Sequence, residues 1–416
     1  MASASGRQAA MPFIMVTVLL DMMSIGIIAP VLPKLIGAFM ASGAGTSIGY
    51  GAAQAAFAVA QFFSAPVLGA LSDRYGRRPV ILLGLLGMGV NFIVTALATE
   101  FWMLIAVRVM GGAVCANIAV ANAYVADVSP PADRAKNFGL LGAMFGLGFI
   151  LGPVLGGLLG EHDIHWPFFL AGALCLVNCG YGYFVLPESL PAERRRAFEF
   201  AKTNPFSSLA RLRELHGVEA LMWIAGLSIL AQFCLHTSWF LYTEFKFGWT
   251  PRDNGLSLLA VGGMAVLVQG FLLRRAQKWM PLEKLVCIGL VSATIAFAGY
   301  GLVPLGWMIF VIVAANVFGY MVQPGLQSLI ANSVDPSRQG ESMGAVSSIN
   351  SVAAVLGPLL GTPLLAAVSH YPPGDWRLGA PFYLCAAIQG VAAVIGLRHF
   401  SRTPHPAAKP STLPAA

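Results

Sequence analysis

The chain has 416 residues, of which 57% are hydrophobic and 10% charged, and its mean hydropathy is +0.73. A water-soluble domain carries about a quarter charged residues, so this composition excludes nearly every soluble enzyme and supplies apolar material for roughly a dozen spans of about 20 residues each. The net charge of +7 would suit nucleic acid only if it were clustered on a wettable face, which the chain lacks.

Cutting at charge clusters and Pro/Gly turns yields twelve apolar segments. The first covers residues 11–35 and contains Asp21; with an acid inside and no small-residue cleavage site, it reads as a retained span and not a signal peptide. Five more follow at 48–70, 79–98, 101–125, 137–160 and 166–186. Residues 187–217 form the one long polar stretch, with Arg194, Arg195, Arg196, Lys202, Arg211 and Arg213. Six further segments lie at 218–242, 254–273, 284–303, 305–331, 342–368 and 379–398. The predicted class is an all-α membrane protein: twelve transmembrane helices in two pseudo-symmetric six-helix bundles, 1–186 and 218–400, joined by a basic linker 187–217 and followed by a disordered tail 401–416. All six cysteines fall inside apolar segments without metal-ligand spacing, so small buried residues are expected there and no metal.

Twenty of the 25 lysines and arginines fall on the side of the N-terminus, four on the other, and Arg108 within a span. The positive-inside rule makes the first side cytoplasmic, with both termini and the linker on it. An even number of crossings follows. The halves also repeat: Gly-Pro follows an early Gly by thirteen residues in segments five and eleven, Gly139 to Gly152 and Gly344 to Gly357. Internal repeats in a polytopic chain point to a transporter whose two bundles rock about a central site.

Asp21 is the one carboxylate in the interior of a predicted span, Glu219 standing at the very start of its own. An intramembrane charge costs about 2.5 to 3.5 kcal/mol on insertion scales and is by default functional, here as a proton site. A structural ion pair is the alternative, against which its depth of about ten residues into the segment counts. Arg108 stays charged, so it would hold a carboxylate, a substrate or a water chain, or else snorkel to the interface. In the loop GALSDRYGRRPV, the charges Asp73, Arg74, Arg77 and Arg78 crowd a glycine turn, and Asp127 at the end of segment four is placed to pair with them as a latch on the cytoplasmic side. Polar groups expected to face a substrate cavity are Gln54, Gln61, Asn91, Asn117, Asn122, Gln232, His236, Trp239, Phe240, Gln323, Gln327 and Asn350. His162, Asp163 and His165 read as a surface turn in preference to a metal site.

The loop GALSDRYGRRPV resembles the signature of the major facilitator superfamily, and GLGFILGPVLGG, with Gly148, Gly152, Pro153, Gly156 and Gly157, resembles the fifth-helix motif of its drug:proton antiporters. The stretches LLDMMSIGIIAPVLP, QFFSAPVLGALSDRYGRRPV, AYVADVSPPADRAKNFGLL and QPGLQ are most similar to tetracycline-resistance efflux proteins. The resemblance implies proton coupling at Asp21 and Arg108, and implies that Gln61 matches a second-helix glutamine. It also marks departures: Asn91, Ala265 and Ala293 stand where those exporters carry ionisable residues. The function expected is export of amphipathic, antibiotic-like molecules in exchange for protons across a bacterial inner membrane. No cofactor beyond the proton gradient is expected, and the chain should act as a monomer in the lipid bilayer. Proton-coupled transport of one metabolite or siderophore is the alternative. A membrane-embedded enzyme is disfavoured, because no HExxH, Walker loop or Rossmann fingerprint is present.

Overall fold

In a bilayer core each span must satisfy its own backbone, and among the described residues every regular element is helical. The computed structural model describes residues 4–115, 117–130, 133–195, 218–334 and 339–402. Most of the predicted linker, from 196 to 217, and the tail beyond 402 lie outside them.

Six helical spans make the first half: α1 (Ala4–Ile28), α2 (Gly43–Tyr75), α3 (Arg77–Ala96), α4 (Phe101–Val114 continued by Asn117–Val128), α5 (Arg134–His162) and α6 (Trp166–Val185). The second half has α7 (Glu219–Phe247), α8 (Pro251–Leu267, extended through a π turn to Ala276), α9 (Leu282–Leu302), α10 (Trp307–Ala315 and Val322–Asn332), α11 (Gln339–Val368) and α12 (Ala380–Arg402). Eleven are each long and apolar enough to cross a bilayer, and the two pieces of α10, bent by 56°, supply the twelfth crossing.

Local chemistry sets the ends. The segment expected at 11–35 breaks after Ile28, because Pro30 has no N–H to donate, and a short helix Leu32–Gly37 follows. α2 is longer than expected: Ser42 caps its start, accepting from the Gly45 N–H at 3.1 Å, and Gly76 at φ +107° ends it. Thr250 and Asp253 form a capping box on α8, with Pro251 in its first turn.

The packing repeats with the halves. α1 lies on α5 and α6 as α7 lies on α11 and α12, and α3 on α6 as α9 on α12. The Gly-Pro repeat is the packing device. A Cβ at Gly152 would stand 2.6 Å from the Met23 carbonyl oxygen of α1, and one at Gly357 would stand 2.7 Å from Phe233 of α7. Gly148 and Gly156 meet α1 in the same way, while Gly157 and the Pro153 carbonyl meet α8. Small residues thus let backbones touch where side chains would hold them apart.

Between the halves the seams are α2 against α11 and α5 against α8. They close at one end only. On the face away from the linker, Gly43 meets Phe245, Gly51 meets Thr362 and Gly255 meets Pro153. The largest buried apolar cluster crosses there from Ile27, Leu35 and Tyr50 to Leu235, Phe240 and Leu365. Toward the linker face the apolar clusters stay within one half, Ile14, Val18 and Ile81 in the first and Ile224, Leu290 and Ile330 in the second. There a Cβ at Gly139, Gly142, Gly146, Gly263 or Gly344 would meet nothing within 4 Å among the described residues. Among the described residues, then, the halves are joined at the far face and stand apart toward the linker face, and α2, α5 and α8 are the least buried of the spans.

Candidate functional site

The first half holds a buried polar cluster around Asp21 and Arg108, each 4% exposed. Asp21 lies within electrostatic reach of Cys115 in α4 and Cys175 in α6, and Cys115 also feels Arg108. Arg108 sits over the Phe57 ring at 5.7 Å, with Tyr50 as a further neighbour. Its Nε and Nη2 have no hydrogen-bond partner among the described residues. Burial at this depth does not fit the snorkelling reading.

The amides around them are mostly structural. α4 breaks at Cys115, so carbonyls near its first end lose their partners four residues on. Gln61 Nε2 donates to the Cys115 carbonyl at 3.1 Å and Ser64 Oγ to that of Gly112 at 3.0 Å. Asn91, expected in the cavity, is instead buried between α3 and α4, where its Nδ2 donates to the Val107 carbonyl. Gln54 donates to the Tyr50 hydroxyl at 3.4 Å, and Asn122 lines a recess of about 140 Å³ with Val18, Phe138 and Leu141. Asn117 opens the second piece of α4, and its side chain is outside the described residues. Tyr50 was not singled out by sequence; a lone Tyr in a Gly/Ala-rich span was the available signal.

In the second half, His236 is exposed, and its Nε2 lies 2.8 Å from Gln232 Nε2. Gln327 is exposed, Gln323 half-buried, and Asn350 is bonded to Val346 of its own helix at 3.1 Å. Trp239 and Phe240 correct the expectation that they line the cavity: both are buried. Trp239 Nε1 donates to Ser257 Oγ at 3.1 Å and its ring packs edge-on against Tyr300 and Phe382, so it belongs to the core of that half. Ala265 is half-buried on α8 and Ala293 buried on α9.

The loop between α2 and α3 forms a charge network. Arg77 reaches Asp73 at 2.6 Å and Asp127 at 3.2 Å, and donates to Ser72 Oγ at 2.6 Å. Arg78 donates to the Tyr183 carbonyl, and Arg74 lies over the Tyr75 ring. Sequence reading missed Glu188. Its carboxylate accepts from the backbone N–H groups of Arg77 at 2.9 Å and Arg78 at 3.3 Å, capping α3 from the segment after α6. The signal was an acid two residues beyond a span, beside a helix start. These pairs are complete while the linker face is open. The expected pairing of Asp127 with an arginine of the loop is present, and among the described residues every partner in the network lies in the first half or just after α6, so that it braces this half internally. At the opposite face, His165 donates its backbone N–H to Asp163 at 2.7 Å and brings its ring Nδ1 to 2.9 Å, holding that carboxyl below its ordinary range in a surface turn.

The family described as Major Facilitator Superfamily matches residues 14–358 and 280–416. The tetracycline resistance protein, class C, of Escherichia coli is 37% identical over 373 residues, covering 88% of this chain and 93% of that protein. The class B protein of the same species is 34% identical, over 89% of this chain and 92% of its own length. The solved structure of the nucleoside transporter NupG superposes with a TM-score of 0.75 at 14% identity, covering 95% of this chain and all of that one, a likeness of fold.

Proposed function

The chain belongs to the major facilitator superfamily, and we propose that it exports amphipathic, drug-like small molecules in exchange for protons by alternating access. The observation that carries this reading is likeness over most of its length to proteins named for tetracycline resistance, in a chain that keeps a buried acid in α1. An ionised acid at that depth is costly. With Arg108 in the same buried cluster, linked to it through Cys115, it can hold either its charge or a proton as the surroundings change. Asp21 is thus the proton site of the exchange, and Arg108 the charge that stabilises its ionised form.

The bias of twenty basic residues to four supports placing the linker face in the cytoplasm. The open cavity then faces the compartment from which a drug is removed. Its second-half wall offers His236, Gln232, Gln323 and Gln327, with alanines at 265 and 293. Such a wall suits a largely apolar molecule with a few hydrogen-bonding groups, more than a strongly charged one.

Inverted membrane vesicles with an acidic lumen test the reading. Members of a panel of amphipathic antibiotics and dyes should accumulate inside and alkalinise the lumen, and Asp21→Asn should abolish both. If no compound moves protons, exchange is wrong; if Asp21→Asn transports fully against a gradient, Asp21 is not the coupling group.

A further inference from the structure

We propose that Thr17 of α1 and Asn178 of α6 hold the water through which Asp21 exchanges its proton, on a route inside the first half and separate from the substrate cavity. The inference rests on Asp21 being the proton site. α1 has two working faces. Leu19, Met22, Met23, Gly26 and Ile27 meet the glycines of α5. Thr17, Asp21 and Ser24, spaced four and three apart and so on one face, turn toward α6. There Asn178 Nδ2 donates to the Thr17 carbonyl at 3.0 Å, and Cys175 lies beside Asp21 and Ser24. The acid is therefore aimed into the bundle.

Hydroxyls in these spans are generally satisfied by the carbonyl four residues back: Ser24 to Leu20 and Thr95 to Asn91 at 2.7 Å, Thr237 to Phe233 and Thr294 to Leu290 at 2.8 Å. Thr17 is not. Its hydroxyl is buried and has no partner among the described residues, and the same holds for Asn178 Oδ1. The bond from Asn178 to the Thr17 backbone puts both residues at one α1–α6 contact. One water answers both, accepting from Thr17 Oγ1 and donating to Asn178 Oδ1. It would sit one helical turn from Asp21, on the side of the linker face.

In the release step, the protonated Asp21 carboxyl gives its proton to that water, which passes one of its own toward the linker face. Only O–H bonds form and break, and the water is restored. The titratable groups in reach of Asp21 are Cys115 of α4 and Cys175 of α6; Cys115 in turn feels Arg108, Arg108 feels Tyr50 of α2, Cys175 feels Cys179, and α5 meets α1 with glycines.

Deuterium exchange of the Asp21 carboxyl, followed by its infrared band in reconstituted protein and assigned by loss of that band in Asp21→Asn, tests the route without any drug. Thr17→Val keeps the shape and removes the hydroxyl, and should slow exchange at least tenfold. Asn178→Leu should do the same, and Thr17→Ser should restore the wild-type rate. Transport by Thr17→Val should lose turnover with an unchanged half-saturating drug concentration. Exchange at the wild-type rate in Thr17→Val overturns the inference, and this isosteric variant decides the matter if Asn178→Leu does not fold. An Asp21→Asn protein that keeps the band and the proton coupling would instead remove the Asp21 reading itself.

Discussion

Replacing glycine by alanine along α5 should have opposite effects at its two ends. At Gly152 the new Cβ would stand 2.6 Å from the Met23 carbonyl oxygen and 2.8 Å from Gly26 Cα, both backbone atoms, against the 3.4 Å at which ordinary contact begins. No side-chain rotation relieves this, so α1 and α5 must part by about 0.8 Å along a seam that also includes Gly148 and Gly156. A radial gap of about 0.5 to 1 Å forfeits a quarter to a half of each dispersion contact, and overpacking costs about 1 to 3 kcal/mol. At Gly142, in the same helix, a Cβ meets nothing within 4 Å, and alanine should gain about 0.5 to 1 kcal/mol from its helix preference. Thermal unfolding of the purified protein, read by cysteine accessibility to a fluorogenic maleimide, should show Gly152→Ala below wild type and Gly142→Ala at or above it. Equal midpoints for the two variants would refute the close-approach account of the repeat.

Other substitutions report on the remaining features. Glu188→Ala should destabilise the first half by about 1 to 2 kcal/mol through loss of a cap and its charge at the α3 start, with Glu188→Gln intermediate, as measured by the same unfolding assay. Gln61→Leu leaves the Cys115 carbonyl without its donor and should cost about 1 to 3 kcal/mol; Gln61→Asn, which is too short to reach, should behave alike. Trp239→Phe should leave the spectrum of exported drugs unchanged in a growth-resistance panel, because that ring packs in the core, whereas His236→Phe should alter it. A changed drug spectrum in Trp239→Phe would return that residue to the cavity.

The spans were legible because a bilayer imposes one length and one composition on each crossing, and the Gly-Pro repeat was legible because backbone contact leaves no choice of residue. Asp21 and Arg108 stood out for the same reason, as the mid-span exceptions to an apolar rule. The break in α4 was not legible. Residues around Cys115 carry no proline, and the interruption is tolerated because Gln61 and Ser64, some fifty residues earlier, take up the released carbonyls. The face of α7 was equally hidden. Trp239 and His236 are neighbours in sequence, and only the arrival of Tyr300 and Phe382 determines that the indole is covered while the imidazole is not. Glu188 escaped notice because its partners are backbone groups, which have no residue signature.

The placement of buried charge has a further consequence. Asp21 and Arg108 both lie in the first half, while the corresponding depth of the second half presents amides, a histidine and alanines; its one buried cation among the described residues, Lys246, sits at the far end of α7 with its ammonium on the Gly301 carbonyl. On the reading proposed above, in which Asp21 and Arg108 carry the proton and the second-half wall meets the drug, the division of labour is modular. A hybrid that keeps residues 1–195 of this chain and takes its second half from a relative should inherit the relative's drug spectrum while keeping its own proton stoichiometry, so that selection can remodel what is expelled without touching the motor that expels it.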